Sequence, residues 1–416
     1  MFAVPSHTTL GYPKPIWATI VLVVSLAGCI RATPTPEPVV ISFAHPDFDT
    51  EAYQQWVEQF NERYPYITVE LGPKKSEMLG GLSPGDADVF INSQFALNWL
   101  HGQGGILDLS PFIEQDASFD ISGFYPGAVG LYTRDGKTWA IPVRVDIMVM
   151  YYNQDLFDQY DIPYPETGWT WDDFLNVTLT IRDPEANVFG YAPGNNLFDP
   201  LTFIYQHGGR IFDDLQNPTH TTFDDPLTIE ALDWYIKLVY DYNVAPTPQQ
   251  TQQAFGGRGL QAGIHQGKFG VWTGMLSERG GQRGPTEWTM RWGMVPLPRD
   301  AQSATLSVVE GYFVSSRTQH PDACWKWIAF LSQQMPNRQV PARKSVAQSA
   351  EYERQVGADV AAIARASMEN ALMLSPKLAG FEEALDIFGQ AFEAITSERL
   401  TPEEAMTWAQ QQSKFE

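Results

Sequence analysis

The chain has 416 residues, of which 44% are hydrophobic and 13% aromatic, and it carries a formal charge of −22 at pH 7. A single hydrophobic core rarely serves more than about 250–300 residues, so two domains are expected. The negative charge argues against nucleic-acid binding, which needs basic surfaces.

The start of the chain has the pattern of an export signal. Residues 16–27 form an apolar run that follows Lys14 and ends at Leu26-Ala27-Gly28-Cys29. The run is too short for a membrane span and has the small-residue end of a signal peptide. A plain N-terminal anchor helix is the alternative. Leu26-Ala27-Gly28-Cys29 also resembles a bacterial lipobox, which implies that residues 1–28 are removed and that Cys29 is lipidated.

Residues 29–38 are rich in proline and predict an extended linker that holds a folded body away from the membrane. The second cysteine, Cys324, lies in an apolar helical pattern. If Cys29 is lipidated, no disulfide forms and Cys324 is expected to pack in the core.

The first part of the folded body predicts a mostly parallel α/β lobe. Its elements are strands at 39–43, 67–71 and 88–91 and a helix from Asp49 or Thr50 through Tyr64. Ligands bind beyond the carboxyl ends of strands in such sheets. His45, Asn92 and Gln94 follow strand ends and are therefore candidates for ligand contact. Ordinary loop polarity is the alternative for each of them.

The stretch at 135–157 contains a long predicted strand. Apolar residues occupy every second position from Trp139 to Val149, the period of a strand half-buried on a core. Arg144 and Asp146 lie on the opposite face. They either form a solvated outer face or line a cleft where the strand passes between lobes.

The remaining elements follow clear local signals. Thr170–Asp173 and Thr401–Glu404 are capping boxes, and Asp225-Pro226 is an N-cap followed by proline. A strand at 269–272 is expected to end on an exposed Trp272. A strand at 308–316 carries Glu310 and Tyr312 near its start, and Pro321 begins an amphipathic helix.

Three motifs together resemble a known family. They are Trp139-Ala140-Ile141-Pro142, the stretch YNQDLF at 152–157, and GWTWDDF at 168–174. The chain is similar, over residues 39–413, to extracellular solute-binding proteins of ABC importers, family 1, of the maltose and oligosaccharide type. The resemblance implies an α/β chain with a two-lobed periplasmic-binding-protein-like (type II) fold, a hinge and an interlobe cleft.

The resemblance also implies the domain limits. The N-terminal lobe is expected at 39–143 and 297–331, and the C-terminal lobe at 144–296 and 332–416. In the family, the long strand and the segment WGMVPLP at 292–298 cross between lobes. The hinge is therefore expected near 142–146 and 296–298.

Further site residues follow from the family. Its segment of Gly-Lys, a short strand and an aromatic residue places a ring in the cleft, and Trp272 matches that position, with core packing as the alternative. Arg343 lies in a Pro-Arg-Ser motif at 341–345. The ligand-binding candidates are His45, Asn92, Gln94, Arg144, Asp146, Trp272, Glu310, Tyr312 and Arg343.

Catalytic motifs fail on their context. Residues 81–85 match G-x-S-x-G, but no strand precedes the serine and Pro84 follows it. Residues 263–269 are one residue short of a phosphate-binding loop, and Phe269 replaces the required Ser or Thr. Neither zinc spacing nor a calcium loop occurs. The expectation is a binding protein that is not an enzyme and that has no cofactor or metal.

The expected function is that of the substrate-binding component of an ABC transporter. It would capture a small solute, with a sugar or oligosaccharide as the first candidate, outside the cell and deliver it to the permease. The protein is expected to be a lipid-anchored monomer on the extracellular face of the membrane or in the periplasm. The alternatives are a secreted carbohydrate-active enzyme that uses Asp146 and Glu310, and a solute receptor for signalling.

Overall fold

The computed structural model of the protein describes residues 1, 11, 37–46, 49–72, 87–194, 197–281 and 287–413. The signal peptide, Cys29, most of the linker and the G-x-S-x-G segment lie outside the described residues. From Pro38 onward the chain forms one compact unit. Within the described ranges, no helix is long and apolar enough to cross a membrane.

Twelve strands are described. They are β1 (Val39–Ala44), β2 (Ile67–Leu71), β3 (Val89–Ser93), β4 (Thr133–Arg134), β5 (Lys137–Thr138), β6 (Ile141–Asn153), β7 (Phe189–Ala192), β8 (Phe269–Met275), β9 (Trp292–Val295), β10 (Thr305–Val314), β11 (Val340–Pro341) and β12 (Ala371–Leu372).

Sixteen helices are described beside them. They are α1 (Thr50–Arg63), α2 (Leu97–Gly102), α3 (Ser110–Gln115), α4 (Pro126–Leu131), α5 (Gln154–Gln159), α6 (Trp171–Ile181), α7 (Phe198–His207), α8 (Pro226–Tyr240), α9 (Pro248–Phe255), α10 (Gly259–His265), α11 (Pro321–Leu331), α12 (Lys344–Ala347), α13 (Ala350–Val356), α14 (Ala358–Met368), α15 (Phe381–Thr396) and α16 (Pro402–Gln412).

The central sheet is mixed, with the strand order β2-β1-β3-β10-β6-β8-β7. β1 pairs in parallel with β2 and β3, as expected for the opening of an α/β lobe. The prediction of a mostly parallel lobe is nevertheless wrong, because β10 pairs antiparallel with both β3 and β6. Sequence patterns at the start of the chain carry no information about this strand, which arrives from residue 305 onward.

Strand β6 is buried along all 13 of its residues. The prediction of a half-buried strand is therefore wrong. One edge of β6 pairs with β10 up to Ile147, and from Met148 onward the strand pairs with β8. The partner exchange lies between Ile147 and Met148, just after the predicted lobe boundary at 143/144, and the boundary itself stays a prediction.

Strand β10 also changes partners along its length. Thr305 and Leu306 pair with β12, and the strand then pairs with β6 and, towards its end, with β3. The strand begins at Thr305 and ends at Val314, so both of its ends come earlier in the chain than those of the strand predicted at 308–316. A bulge separates Glu310 from Gly311 in the pairing with β6. The bulge lets Glu310 lie opposite Arg144 while Gly311 lies opposite Pro142.

Two aromatic-rich cores flank these crossing strands. In the first, Trp327 of α11 packs edge-on against Phe43 of β1, with ring centroids 5.7 Å apart, and against Phe60 of α1 at 4.9 Å. In the second, Trp171 of α6 stacks on Trp234 of α8 at 4.2 Å. Cys324 is a free, buried cysteine of the first core, which confirms its packing role.

The local helix signals are confirmed. Thr170 and Asp173 form a reciprocal capping box at the start of α6, and Thr401 and Glu404 do so at α16. Asp225 caps α8 ahead of its first-turn proline. These signals depend only on residues three positions apart, so tertiary packing does not alter them.

Gly311 of β10 packs closely against Tyr132, so a substitution at Gly311 tests the packing around this strand. A Cβ at this position would lie 2.8 Å from Tyr132 Cζ, and the ring is fixed by a 2.8 Å hydrogen bond from its hydroxyl to the Val309 carbonyl. Because overpacking a core costs about 1–3 kcal/mol, we expect Gly311→Ala to lower the free energy of unfolding by that amount.

Chemical denaturation measures this change. Gly102→Ala is the matched control, since nothing lies within 4 Å of a Cβ at the end of α2. Equal stability of the two variants would contradict the packing described for Gly311.

Candidate functional site

A cavity of about 540 Å³ lies where the start of α1, the turn after β8 and strand β9 approach one another. Its volume falls within the range of about 300–1,000 Å³ that is usual for small-molecule sites. The lining residues are Asp49, Arg279, Gly280, Trp292, Asn337, Arg338 and Val360. The lining therefore combines one large aromatic ring with several hydrogen-bonding side chains.

Asp49 at the edge of this cavity belongs to a buried ionic triad. Arg144 of β6 donates from Nη1 to Asp49 Oδ2 at 2.5 Å and from Nε to Glu310 Oε2. The side chains of Arg144 and Asp49 are 3% and 6% exposed, whereas Glu310 is 25% exposed. Burial alone lowers the pKa of Arg144, but Glu310 and Asp49 outweigh it and raise that pKa well above its ordinary value.

Asp146, two residues further along β6, holds the turn at Leu276–Gly281 that follows β8. It accepts hydrogen bonds from the Ser277 backbone N–H at 3.0 Å and from the Ser277 hydroxyl at 2.5 Å. Of the two sequence alternatives for Arg144 and Asp146, a solvated outer face is excluded, because both are buried.

Arg279 and Arg338 form a reciprocal pair in the cavity wall. Arg279 Nη1 donates to the Arg338 carbonyl at 2.6 Å, and Arg338 Nη2 donates to the Arg279 carbonyl at 2.8 Å. Arg338 Nε also donates to the Ser277 carbonyl at 2.6 Å. These bonds fix both side chains in the wall. This pair was not predicted from the sequence, because the two residues lie far apart in the chain with no shared motif.

Trp292 supplies the aromatic surface of the cavity. It is half-buried on β9 and packs edge-on against Trp288, with ring centroids 5.5 Å apart and an interplanar angle of 82°. From the sequence, Trp292 was predicted only as part of the WGMVPLP crossover segment. Its position beside a second tryptophan in a glycine-rich region was the signal that could have identified it.

Trp272 lies behind this surface and does not line the cavity. It stacks on Tyr151 at 5.9 Å and packs edge-on against Trp288 at 4.9 Å. The expectation of a strand that ends on an exposed Trp272 is wrong, since β8 continues to Met275 and Trp272 is 2% exposed. Strand β6 covers it through the pairing of Trp272 with Tyr151.

The profile of the bacterial extracellular solute-binding protein family matches residues 49–334, more than half of the chain. The chain belongs to this family. The match contains both crossing strands and the residues of the ionic triad, and the resemblance inferred from the motifs is confirmed. The description of the family also implies a location outside the cytoplasmic membrane.

Relatives and solved structures agree with this family. The chain is 26% identical over 209 residues to an arabinooligosaccharide-binding protein of Halalkalibacterium halodurans, covering 48% of this chain and 45% of the relative. A second such protein, from Bacillus subtilis, is 25% identical over 213 residues, 49% of this chain and 47% of that protein. The match thus spans about half the length of these curated relatives.

One solved structure is the ABC substrate-binding protein Lmo0181 from Listeria monocytogenes in complex with cycloalternan. Its TM-score is 0.75 at 21% identity, covering 90% of this chain and 98% of that one. Maltose-bound T. maritima MalE3 has a TM-score of 0.68 at 20% identity, covering 91% and 99%. At these identities the likeness concerns the fold, and the predicted two-lobed fold is confirmed.

In this solute-binding protein, His45 and Tyr312 lie in an aromatic cluster beside the triad and not on the cavity surface. Their hydrogen bonds join them to the first core. The Tyr312 and Tyr53 hydroxyls share a hydrogen bond of 3.1 Å, and His45 Nδ1 donates to the Pro46 carbonyl at 2.8 Å. Burial raises the pKa of Tyr312 and of Tyr53, so both hydroxyls stay protonated.

Gln94 ties the end of β3 to β10, whereas the Asn92 side chain bonds within β3. Gln94 is fully buried and accepts from the Val309 backbone N–H at 2.8 Å, while Asn92 Oδ1 accepts from the Ser93 N–H at 2.9 Å. Neither residue lines the cavity. Ligand contact by these two residues stays a prediction.

Arg343 lies apart from the other candidates. Its guanidinium stacks 4.3 Å from the Phe124 ring and 5.4 Å from Phe119, and it donates to the Asp120 carbonyl at 3.1 Å. Burial lowers its pKa, and the charge of Asp120 offsets this only in part. Arg343 therefore ties the start of α12 to the loop before α4, and the structure does not bring it to the cavity.

The ionic triad makes a direct stability prediction. Arg144→Gln would leave Asp49 and Glu310 without their shared cation. Because removing one partner of a buried ion pair costs about 3–5 kcal/mol, we expect the free energy of unfolding to fall by that amount.

The measurement is denaturant unfolding of both wild type and variant. The control is Arg291→Gln, which breaks exposed ion pairs to Asp155 and Asp158 and should leave the midpoint nearly unchanged. If the two variants lost equal stability, the triad would not be the buried element described above.

Proposed function

We propose that this protein is the substrate-binding component of an ABC importer and that its solute is a saccharide. The observation that carries the proposal is a half-buried Trp292 in a cavity of about 540 Å³ whose other lining residues include Asp49, Arg279, Asn337 and Arg338. A sugar presents flat C–H faces and a ring of hydroxyls, so it needs an aromatic platform with donors and acceptors around it.

The nature of the relatives supports a saccharide. Two curated relatives are arabinooligosaccharide-binding proteins, and two proteins of the same fold were solved with cycloalternan and with maltose. We infer the class of solute from these proteins, and binding measurements are needed to identify the particular sugar.

Closure about the crossing strands would deliver the solute. β6 and β10 each pair with different strands along their lengths, so bending near Ile147 and Met148 would move one set of partners relative to the other. We infer that the ligand binds the closed arrangement better than the open one and thereby shifts the population towards closure. The permease of the importer would then recognise the closed form.

Binding without turnover is part of the proposal. The two carboxylates that a glycosidase would need, Asp146 and Glu310, are already engaged, the first by Ser277 and the second by Arg144. A general acid has to be free to give up a proton to the sugar oxygen. We therefore expect the bound sugar to be recovered intact.

The proposal also includes a lipid anchor on Cys29 and a monomeric state. The sequence Leu26-Ala27-Gly28-Cys29 after an apolar run supports the anchor. The proline-rich linker at 29–38 would then separate the binding domain from the membrane surface.

Titration with sugars tests the binding proposal. A specific sugar at 100 times its dissociation constant should stabilise the protein by about 2.7 kcal/mol. Trp292→Ala should raise that dissociation constant at least about tenfold, equivalent to about 1.4 kcal/mol of binding free energy. The reason is that the sugar ring loses the aromatic surface on which it packs. Isothermal titration calorimetry measures the constant, and chromatography of the released ligand checks that it is unchanged.

Trp99→Ala is the matched control for Trp292→Ala, since Trp99 is 40% exposed and lies outside the cavity lining. Loss of affinity in both variants would point to a global effect. If the sugar were consumed, the receptor proposal would be contradicted and an enzyme would be favoured.

The lipid anchor is tested in cells. Cys29→Ser should move the protein out of the pool that partitions into detergent, and mass spectrometry of the wild type should find a lipid-modified N-terminal Cys29. A wild-type protein that still begins at residue 1 would contradict the lipoprotein proposal. Mass spectrometry is needed for the variant too, because an uncleaved apolar run could retain it in the membrane.

A further inference from the structure

We propose that the solute carries an anionic group, a carboxylate or a phosphate attached to a saccharide, and that Arg279 binds this group while Arg338 holds Arg279 in place. The inference rests on the proposed function, since it adds a charge to the saccharide that is assumed there. It arises from the two guanidinium groups that line the same cavity as Trp292.

Arg279 is held rigidly and still has donors to offer. Its Nη1 donates to the carbonyls of Leu276 at 3.1 Å and Arg338 at 2.6 Å, and its Nη2 donates to the Asn337 carbonyl at 3.0 Å. A guanidinium has five N–H groups, so the Nε–H and one N–H of Nη2 remain for a ligand. Their fork geometry suits the two oxygens of a carboxylate or phosphate.

The charge of Arg279 is not matched by an acidic side chain. Among the described residues, no carboxylate forms an ion pair with Arg279, whose hydrogen bonds go to neutral backbone carbonyls. A half-buried cation in such a position gains from an added anion, because a charge taken out of water is costly until it is paired.

The nearby acidic residues have other partners. Asp49, the only acidic residue among the described lining residues, is paired with Arg144, and Asp146 accepts from Ser277. Glu278 accepts from the Met275 backbone N–H at 3.0 Å and does not line the cavity. With Asp49 paired to Arg144, Asp49 is not available to offset the charge of Arg279.

The reciprocal bonding of the pair adds a second reason. Each arginine donates to the backbone carbonyl of the other, so the Arg279 side chain is held in one position in the cavity wall. A donor that is fixed before the ligand binds loses little conformational freedom on binding. Trp292 in the same wall would support the sugar ring while Arg279 holds its acidic group.

Matched pairs of sugars test the inference by calorimetry on the purified protein. The probes are galacturonic acid with galactose, digalacturonic acid with galactobiose, and glucose 6-phosphate with glucose. We expect an acidic member to bind at least tenfold more tightly than its neutral counterpart. Whether the uronic acids or the sugar phosphate show the larger preference distinguishes the two sources of the anion.

Substitutions then locate the effect. Arg279→Gln should weaken binding of the acidic sugar at least tenfold more than binding of the neutral one, whereas Arg279→Lys should recover part of the preference because it retains the charge. Arg317→Gln is the control, since Arg317 is exposed and does not line the cavity. Circular dichroism and thermal unfolding confirm that each variant is folded.

The outcomes separate this inference from the proposed function. If neutral sugars bind as tightly as acidic ones and Arg279→Gln affects both equally, the anionic solute is excluded and the saccharide receptor stands. If no sugar of either kind binds, both proposals fail.

Discussion

The burial of strand β6 on both faces is the constraint on which the rest of the structure depends. All 13 residues are covered, so each backbone N–H and C=O group must find its partner in a neighbouring strand. No single partner spans the whole length, and β10 with β11 serves the first half while β8 with β9 serves the second. The fold is thus organised around one continuous strand with two sets of neighbours.

The same burial dictates the chemistry of the two charged residues of β6. A buried arginine requires acidic partners, and Arg144 obtains them from the start of α1 and from β10. A buried aspartate requires donors, and Asp146 obtains them from the turn after β8. These contacts bring Asp49 and the Leu276–Gly281 turn, which carries Arg279, to the same cavity. Structural needs inside the strand therefore position the groups that a ligand meets.

Local and family-level patterns in the sequence predicted much of the fold. The capping boxes at Thr170 and Thr401 and the strand at Ile67–Leu71 depend on near neighbours and were recovered. The two-lobed fold followed from three motifs. The mixed sheet was not predictable from its first strands, because β10 comes from more than 200 residues further along the chain.

The site was harder to predict than the fold. Arg144, Asp146 and Glu310 were chosen because charges inside apolar strands stand out; none of them lines the cavity, and ligand contact by them stays a prediction. Trp272 was chosen because it matches the family's aromatic position after Gly-Lys and a short strand, but in the structure it is 2% exposed and packs beside β6. Arg279 and Arg338 each donate to the backbone carbonyl of the other. Every residue has such a carbonyl, so the sequence does not predict this contact.

The reciprocal bonds between Arg279 and Arg338 have a consequence for how this cavity can evolve. Each side chain donates to a main-chain carbonyl of the other residue, and every residue type carries that carbonyl. Substitution of one arginine therefore leaves the acceptor of the other in place. A lineage that changed its solute could exchange the two arginines one at a time and keep the remaining side chain in the wall.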